Sequence, residues 1–316
     1  MRALILSTGL IGGSIAKALV NAGWEIHATT RKPLEFKGIT FYTDYTDLIQ
    51  HYGSYDIICI CSPRGKNYEI YKEMFEIASK LSTHDTLIVD VSSVQNQNNL
   101  FQLKYRNFIP CHPIAGSEKT GFENSSEEIL QGRKCLVIHK NPPQKVLDFW
   151  HACGMIVDNS ITSCMEHDRI FAKVSHLPQL ISFNLPPEEK PEYKEFYRLK
   201  NSSREIWDEI FLHNWNWIFQ GLLEFTKKDS EILNNEIFTN FEHIISRCFL
   251  EITTEREKKY AGTGFQTITS ALLSNSTHNR KSIGEEYNKV NEYIKILDNT
   301  SKMLSNLVLS APDTKE

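Results

Sequence analysis

The chain has 316 residues, enough for two domains of ordinary size; 41% are hydrophobic and 23% charged, a globular rather than a disordered or fibrous composition. The formal net charge of −4 argues against a nucleic-acid partner, because neutralising phosphates takes clustered Lys and Arg. The 7 cysteines show no CxxC spacing, which points to buried, reduced thiols in a reducing compartment and to no metal site.

The first residues imitate a secretory leader, with Arg2 followed by an apolar stretch. Lys17 interrupts that stretch, and its glycines fall in a turn pattern rather than at a cleavage site. No segment reaches the about 20 apolar residues that span a bilayer. The expectation is a cytoplasmic protein with no membrane partner.

In chain order, "RALILST" reads as a buried strand, an unbroken apolar run closed by Gly9. "SIAKALVNAG" follows as a helix, with Ile11, Ile15 and Leu19 on one face and Gly23 as its terminal cap. "EIHATT" is a second strand, "YTDLIQHYG" a short helix, and "YDIICICSP" a third strand ending at Pro63. "NYEIYKEMFEIASKL" is helical, and "DTLIVDVSS", "RNFIPCHP" and "KCLVIH" are further strands. Strands alternating with helices predict an α/β domain with a wound parallel sheet, helices on both faces, over residues 1–164.

The second half, 165–316, reads as all-helical. "HDRIFAKVSHLPQLISFNL" has helical spacing with a kink expected at Pro178. "LPPEEKPEYKEFYRLKNSS" is a polar loop, and the next helix carries Trp207, Ile210, Phe211, Trp217 and Leu222 on an apolar stripe. Further helices are expected through "FEHIISRCFLEI" and "YNKVNEYIKILDNTSKMLSNLV". The apolar stripes exceed what one short bundle buries, which predicts a homodimer formed by the helical half.

The stretch Ser7-Thr8-Gly9-Leu10-Ile11-Gly12 lies between the first strand and the first helix. It follows the GxGxxG pattern of a Rossmann-like dinucleotide cradle, with Ser7 in place of the first glycine. There the backbone approaches a pyrophosphate and the helix N-terminus favours its charge. Ser7 fits if its backbone angles are ordinary; close packing of a helix on a strand is the alternative use of such a turn. Thr8, Gly9, Leu10, Ile11 and Gly12 are therefore cofactor-binding candidates, as are Ser62 and Pro63 at the end of the third strand. The second strand ends in "HATTRKP", with no carboxylate for a ribose hydroxyl. Thr30, Arg31 and Lys32 suit a 2′-phosphate instead, so NADP is preferred over NAD; a solvated basic turn is the alternative.

Three later stretches, "VDVSSVQ", "CHPIAGSEKTGFENS" and "HDRIFAKVSHLPQL", complete a set. With "GLIGGS" it resembles the prephenate/arogenate dehydrogenase family of tyrosine biosynthesis, over the wound domain and the first helices beyond it. The resemblance implies oxidative decarboxylation of a cyclohexadienyl ring, with prephenate or arogenate as substrate. It makes His112 the catalytic base and Ser93 the active-site serine. It also implies that Arg198, ahead of Trp207, holds a substrate carboxylate, and that Glu118, His176 and Gln179 lie at the substrate.

The chemistry is coherent for these side chains. An imidazole with a pKa near ~6.5 is a competent base for the ring hydroxyl, Ser93 would orient that hydroxyl, and an Arg fork matches a carboxylate. Each has a structural alternative: a loop histidine before Pro113, a helix cap at Ser93, surface charges at Glu118 and Arg198, satisfied polar groups at Ser175 and His176. Gln179 and Gln95 stand where the family often has His and Lys. Less positive charge there favours arogenate, which brings its own ammonium. The competing readings are another NADP-linked oxidoreductase of the β-hydroxyacid dehydrogenase type, for which no catalytic lysine motif is visible, and a catalytically silent NADP sensor.

Overall fold

The computed structural model describes residues 1–51, 54–65, 68–96, 98–117, 119–183 and 199–229. One unit runs from Met1 to His167, and a second opens at Asp168. The helices expected beyond residue 229, and Cys248, lie outside the described residues.

The first unit begins β1 (Arg2–Leu6), α1 (Leu10–Asn21), β2 (Glu25–Thr29), β3 (Ile39–Tyr42), α2 (Tyr45–His51) and β4 (Ile57–Ile60). It continues with α3 (Glu69–Leu81), β5 (Leu87–Asp90), α4 (Asn98–Lys104) and β6 (Phe108–Ile109). These strands form one parallel sheet in the order β3-β2-β1-β4-β5-β6, the doubly wound arrangement. Alternation along β1 sends Ala3 and Ile5 to one face and Leu4 and Leu6 to the other. Ala3 and Ile5 pack in a core with Ile15, Leu19 and Trp150, whereas Leu4 and Leu6 pack with Tyr71, Phe75 and Phe108. Both faces are covered, so the strand is apolar throughout. Helix α1 closes as expected: Gly23, at φ +80°, donates to Val20 O, and Trp24 N–H donates to Leu19 O.

Strand β3 and helix α4 were not legible as such in the sequence, and neither were the helix at Gln144–Ala152 and the strand at Ile156–Asp158. "RNFIPCHP" is not one strand. Pro110 has no N–H for a ladder, and the chain leaves the parallel sheet there. It continues as β7 (Cys111–Pro113), which pairs antiparallel with β8 (Lys134–Val137). After α5 (Gln144–Ala152), β9 (Ile156–Asp158) joins β8 in parallel, so the unit holds a second, mixed sheet of three strands.

Helix α6 (Cys164–Phe171) leads into the second unit, followed by a π-helical turn at Ala172–His176, α7 (Leu177–Phe183) and α8 (Arg204–Asp229). The break expected at Pro178 appears one turn earlier, at the π turn; the proline itself sits in the first turn of α7, where its missing donor costs little. Helix α8 is interrupted at Asn214 (φ −107°, ψ 17°). Its buried apolar side chains among the described residues are Ile210, Phe211, Trp215 and Ile218, so Trp215 rather than Trp217 belongs to the inner face. No helix among the described residues is long and apolar enough to cross a membrane.

Candidate functional site

The carboxyl ends of β1 and β4 lie side by side, with Leu6 opposite Ile60. Ligands of wound sheets bind beyond this edge. A Cβ on Gly12 would stand 2.2 Å from Ser7 O and 3.0 Å from Cys61 Cβ, so only glycine lets α1 start this close to the strand. No side chain caps α1, and its first turn carries no acidic residue. The N–H groups of Leu10, Ile11 and Gly12 are therefore the donors an anion meets at the positive end of the helix dipole. Ser62 adds a buried hydroxyl with no hydrogen-bond partner among the described residues, just past β4; Pro63 beside it is exposed. This edge fits a dinucleotide.

Two members of the cradle differ from expectation. Ser7 has φ +80°, inside the left-handed region, so its angles are not ordinary. Its N–H donates to Thr29 Oγ1 at 2.9 Å, which holds the strained turn against β2. Thr8 gives both donors to Thr29 O, its N–H at 3.1 Å and its hydroxyl at 3.0 Å, so it braces the loop. At the end of β2, Thr30 N–H donates to Tyr42 O and its hydroxyl donates to Lys32 O at 2.9 Å. Arg31 and Lys32 are exposed beyond that small turn.

At the end of β5 a buried polar cluster joins the stretches that carry Ser93 and His112. The Asp90 carboxylate accepts from Tyr71 Oη at 2.6 Å, from Cys111 N–H at 2.7 Å and from Asn98 Nδ2 at 3.3 Å. Burial, then the Asp90 charge, push the Tyr71 phenol well above its ordinary pKa, so it remains a donor. The Arg64 guanidinium lies 3.7 Å from Asp90 and 4.5 Å from the Tyr71 ring centroid. It donates to Asn96 O at 2.9 Å and to Asn98 Oδ1 at 3.1 Å. Gln95 Nε2 donates to Ser92 O at 2.7 Å and Cys111 O at 3.0 Å, and Gln95 Oε1 accepts from Asn98 Nδ2. Gln95 is fully buried in this clamp, so it does not tune charge at a substrate as the sequence reading supposed.

The clamp holds Cys111 by both its N–H and its carbonyl, and thereby fixes His112. That histidine lies within β7, and it is 7% exposed. Its Nδ1 stands 2.8 Å from Nε2 of His167, a fully buried residue in α6. Ser93 lies in the half-buried turn between β5 and α4; α4 starts at Asn98, so Ser93 is not its cap.

In the second unit, Asn214 Nδ2 donates to Asp168 O and to His176 Nδ1, both at 2.8 Å. That makes Nδ1 of His176 an acceptor and puts its proton on Nε2. Gln179 is 1% exposed and donates to Leu199 O at 2.6 Å, while its Oε1 is buried with no hydrogen-bond partner among the described residues. Glu118 and Arg198 lie outside the described residues. Sequence reasoning missed Arg64, Asn98 and His167. The signal for His167 is present in the sequence, since it is the first residue of "HDRIFAKVSHLPQL".

Residues 23–155 match the family model for the prephenate dehydrogenase nucleotide-binding domain. A prephenate dehydrogenase of Lactococcus lactis subsp. cremoris is 25% identical over 252 residues, 72% of this chain and 69% of that protein. A cyclohexadienyl dehydrogenase of Zymomonas mobilis is 24% identical over 242 residues, 66% of this chain and 80% of that protein. Among solved structures, the prephenate dehydrogenase of A. aeolicus in complex with hydroxyphenyl propionate and NAD+ shares the fold at a TM-score of 0.64. It is 24% identical and covers 82% of this chain and 98% of its own. Synechocystis arogenate dehydrogenase shares the fold at a TM-score of 0.60 with 16% identity, covering 82% of this chain and 100% of its own. Over residues 23–155 the chain thus matches the nucleotide-binding domain of prephenate dehydrogenases, and over most of its length it is similar to prephenate, cyclohexadienyl and arogenate dehydrogenases.

Proposed function

We propose that this protein oxidatively decarboxylates prephenate or arogenate, with NADP preferred to NAD as the oxidant. One observation carries the reading: a buried imidazole, His112, is clamped through Cys111 to the carboxyl end of β5. The same sheet edge offers an uncapped, glycine-built helix N-terminus. When bound, the oxidised nicotinamide accepts the hydride from the carbinol carbon. His112 takes the proton of the ring hydroxyl, and Ser93 orients that hydroxyl. Arg198 grips a substrate carboxylate, with Glu118, His176 and Gln179 at the substrate. His176, with its proton on Nε2, serves as a hydrogen-bond donor. Leu10, Ile11 and Gly12 receive the pyrophosphate, Ser62 and Pro63 flank the cofactor, and Arg31 with Thr30 and Lys32 reads the 2′-phosphate. The helical half, 165–316, pairs with a second copy.

The test is reduced-nicotinamide absorbance in a grid of NAD or NADP against prephenate or arogenate. Turnover in an NADP column is expected. Arg31→Ala should weaken NADP, and not NAD, on the order of tenfold to a hundredfold in kcat/KM, the worth of a charge-assisted hydrogen bond. Turnover with NAD alone would discard the reading of Arg31. Binding of NADP with no turnover of either substrate would favour a sensor.

A further inference from the structure

His167 is fully buried, and no part of the reading above uses it. Its Nε2 lies 2.8 Å from Nδ1 of His112, with the ring centroids 5.0 Å apart. Two imidazole nitrogens at that distance share one proton, since one must donate and the other accept.

Resting on the reading that His112 is the base, we propose that His167 is its proton partner. His167 Nε2 accepts from His112 Nδ1–H, which leaves the lone pair of His112 on Nε2, where a hydroxyl proton is received. The opposite assignment would place the His112 proton on Nε2 and make that nitrogen a donor.

The bookkeeping of protons closes. In the forward step the ring O–H bond breaks and His112 gains Nε2–H, while His112 Nδ1–H breaks and His167 gains Nε2–H. A hydride passes from the same carbon to the oxidised nicotinamide, and the carbonyl forms. The bond between ring and carboxylate then breaks, carbon dioxide leaves, and the electron pair passes through the ring onto the oxygen. That oxygen takes the proton back by the reverse path, so a turnover releases no net proton. The dyad therefore stores one proton between two events, spread over two rings. A neutral acceptor also suits a substrate that brings carboxylates, because an Asp or Glu in the place of His167 would set another negative charge beside them.

Two measurements test this. His167→Leu removes the acceptor, and kcat should fall about 100-fold while KM stays within about threefold. His167→Gln returns a carboxamide oxygen near the position of Nε2 and should recover about tenfold of that loss. Independently of turnover, long-range 15N–1H spectra of histidine-labelled wild type should find the His112 proton on Nδ1 and an accepting Nε2 on His167. A His112 protonated on Nε2 with a bare Nδ1, or a Leu variant with wild-type kcat, overturns the proposal. If the Leu variant does not fold, the Gln variant and the spectra decide. If wild type turns over neither ring substrate, the proposed activity fails, and the tautomers still decide whether the dyad exists.

Discussion

The β1 end and the β5 end of the same parallel sheet are built by different means. At the end of β1 the work is done by backbone: a glycine turn, an uncapped helix and one strained serine, drawn mainly from neighbouring residues. At the end of β5 it is done by buried side chains, with Asp90, Arg64, Asn98 and Gln95 tying Ser92 to Cys111 across long sequence separations. A backbone device tolerates change wherever no Cβ collides. A buried polar network depends on every member, because each unsatisfied group inside keeps its desolvation cost.

That contrast is open to attack, starting with the clamp. Asp90→Ala leaves the buried Arg64 without its carboxylate and strips Cys111 N–H of its acceptor. A loss of about 3–5 kcal/mol is expected in urea unfolding, the cost of breaking a buried charged pair from one side. Gly12→Ala drives a methyl against Ser7 O and should cost about 2–3 kcal/mol, together with dinucleotide affinity in a fluorescence titration. If Gly12→Ala proved the costlier of the two, the backbone edge would be the more fragile one and the contrast would be reversed.

Ser7→Gly sharpens the comparison in the other direction. It relieves a left-handed residue and should raise stability by about 0.5–1 kcal/mol, the penalty at φ +80° less the added chain entropy of glycine. An unchanged midpoint would mean that the bond to Thr29 fully offsets the strain. The smallest effect belongs to β2, where burial lowers the pKa of His27 against a weaker opposing influence of Glu25. A depressed folded value means that the unfolded chain binds the proton more readily. Stability from this group is complete above the ordinary ~6.5 and is lost as pH falls through the folded value. His27→Gln should flatten that part of the melting-temperature profile measured by circular dichroism.

Much of the wound sheet was legible because its strands are continuous apolar runs and its helices carry one apolar face. Elements without such a signature escaped. Strand β3, "ITFY", is short and mostly outside the core, and α4 is brief. "RNFIPCHP" reads as one strand until Pro110 is required to supply a donor that it lacks. Within the site, His112 and Ser93 were reached through motifs. Gln95 was misjudged because a motif names a residue without saying where its amide points. Inside the clamp that amide faces two carbonyls rather than a ligand.

The amino-acid sequence by itself determined the main strands and helices of the wound sheet, the glycine turn, the basic end of β2 and the identity of the candidate base. These rest on local periodicity and local backbone freedom, which neighbouring residues settle among themselves. Tertiary structure alone decided that Asp90 reaches Cys111, that Arg64 and Asn98 close the clamp, that Ser7 is strained and that His167 meets His112. Those facts depend on which distant residues the fold brings within hydrogen-bonding distance, and a directional bond of about 3 Å leaves no trace in the spacing of the chain.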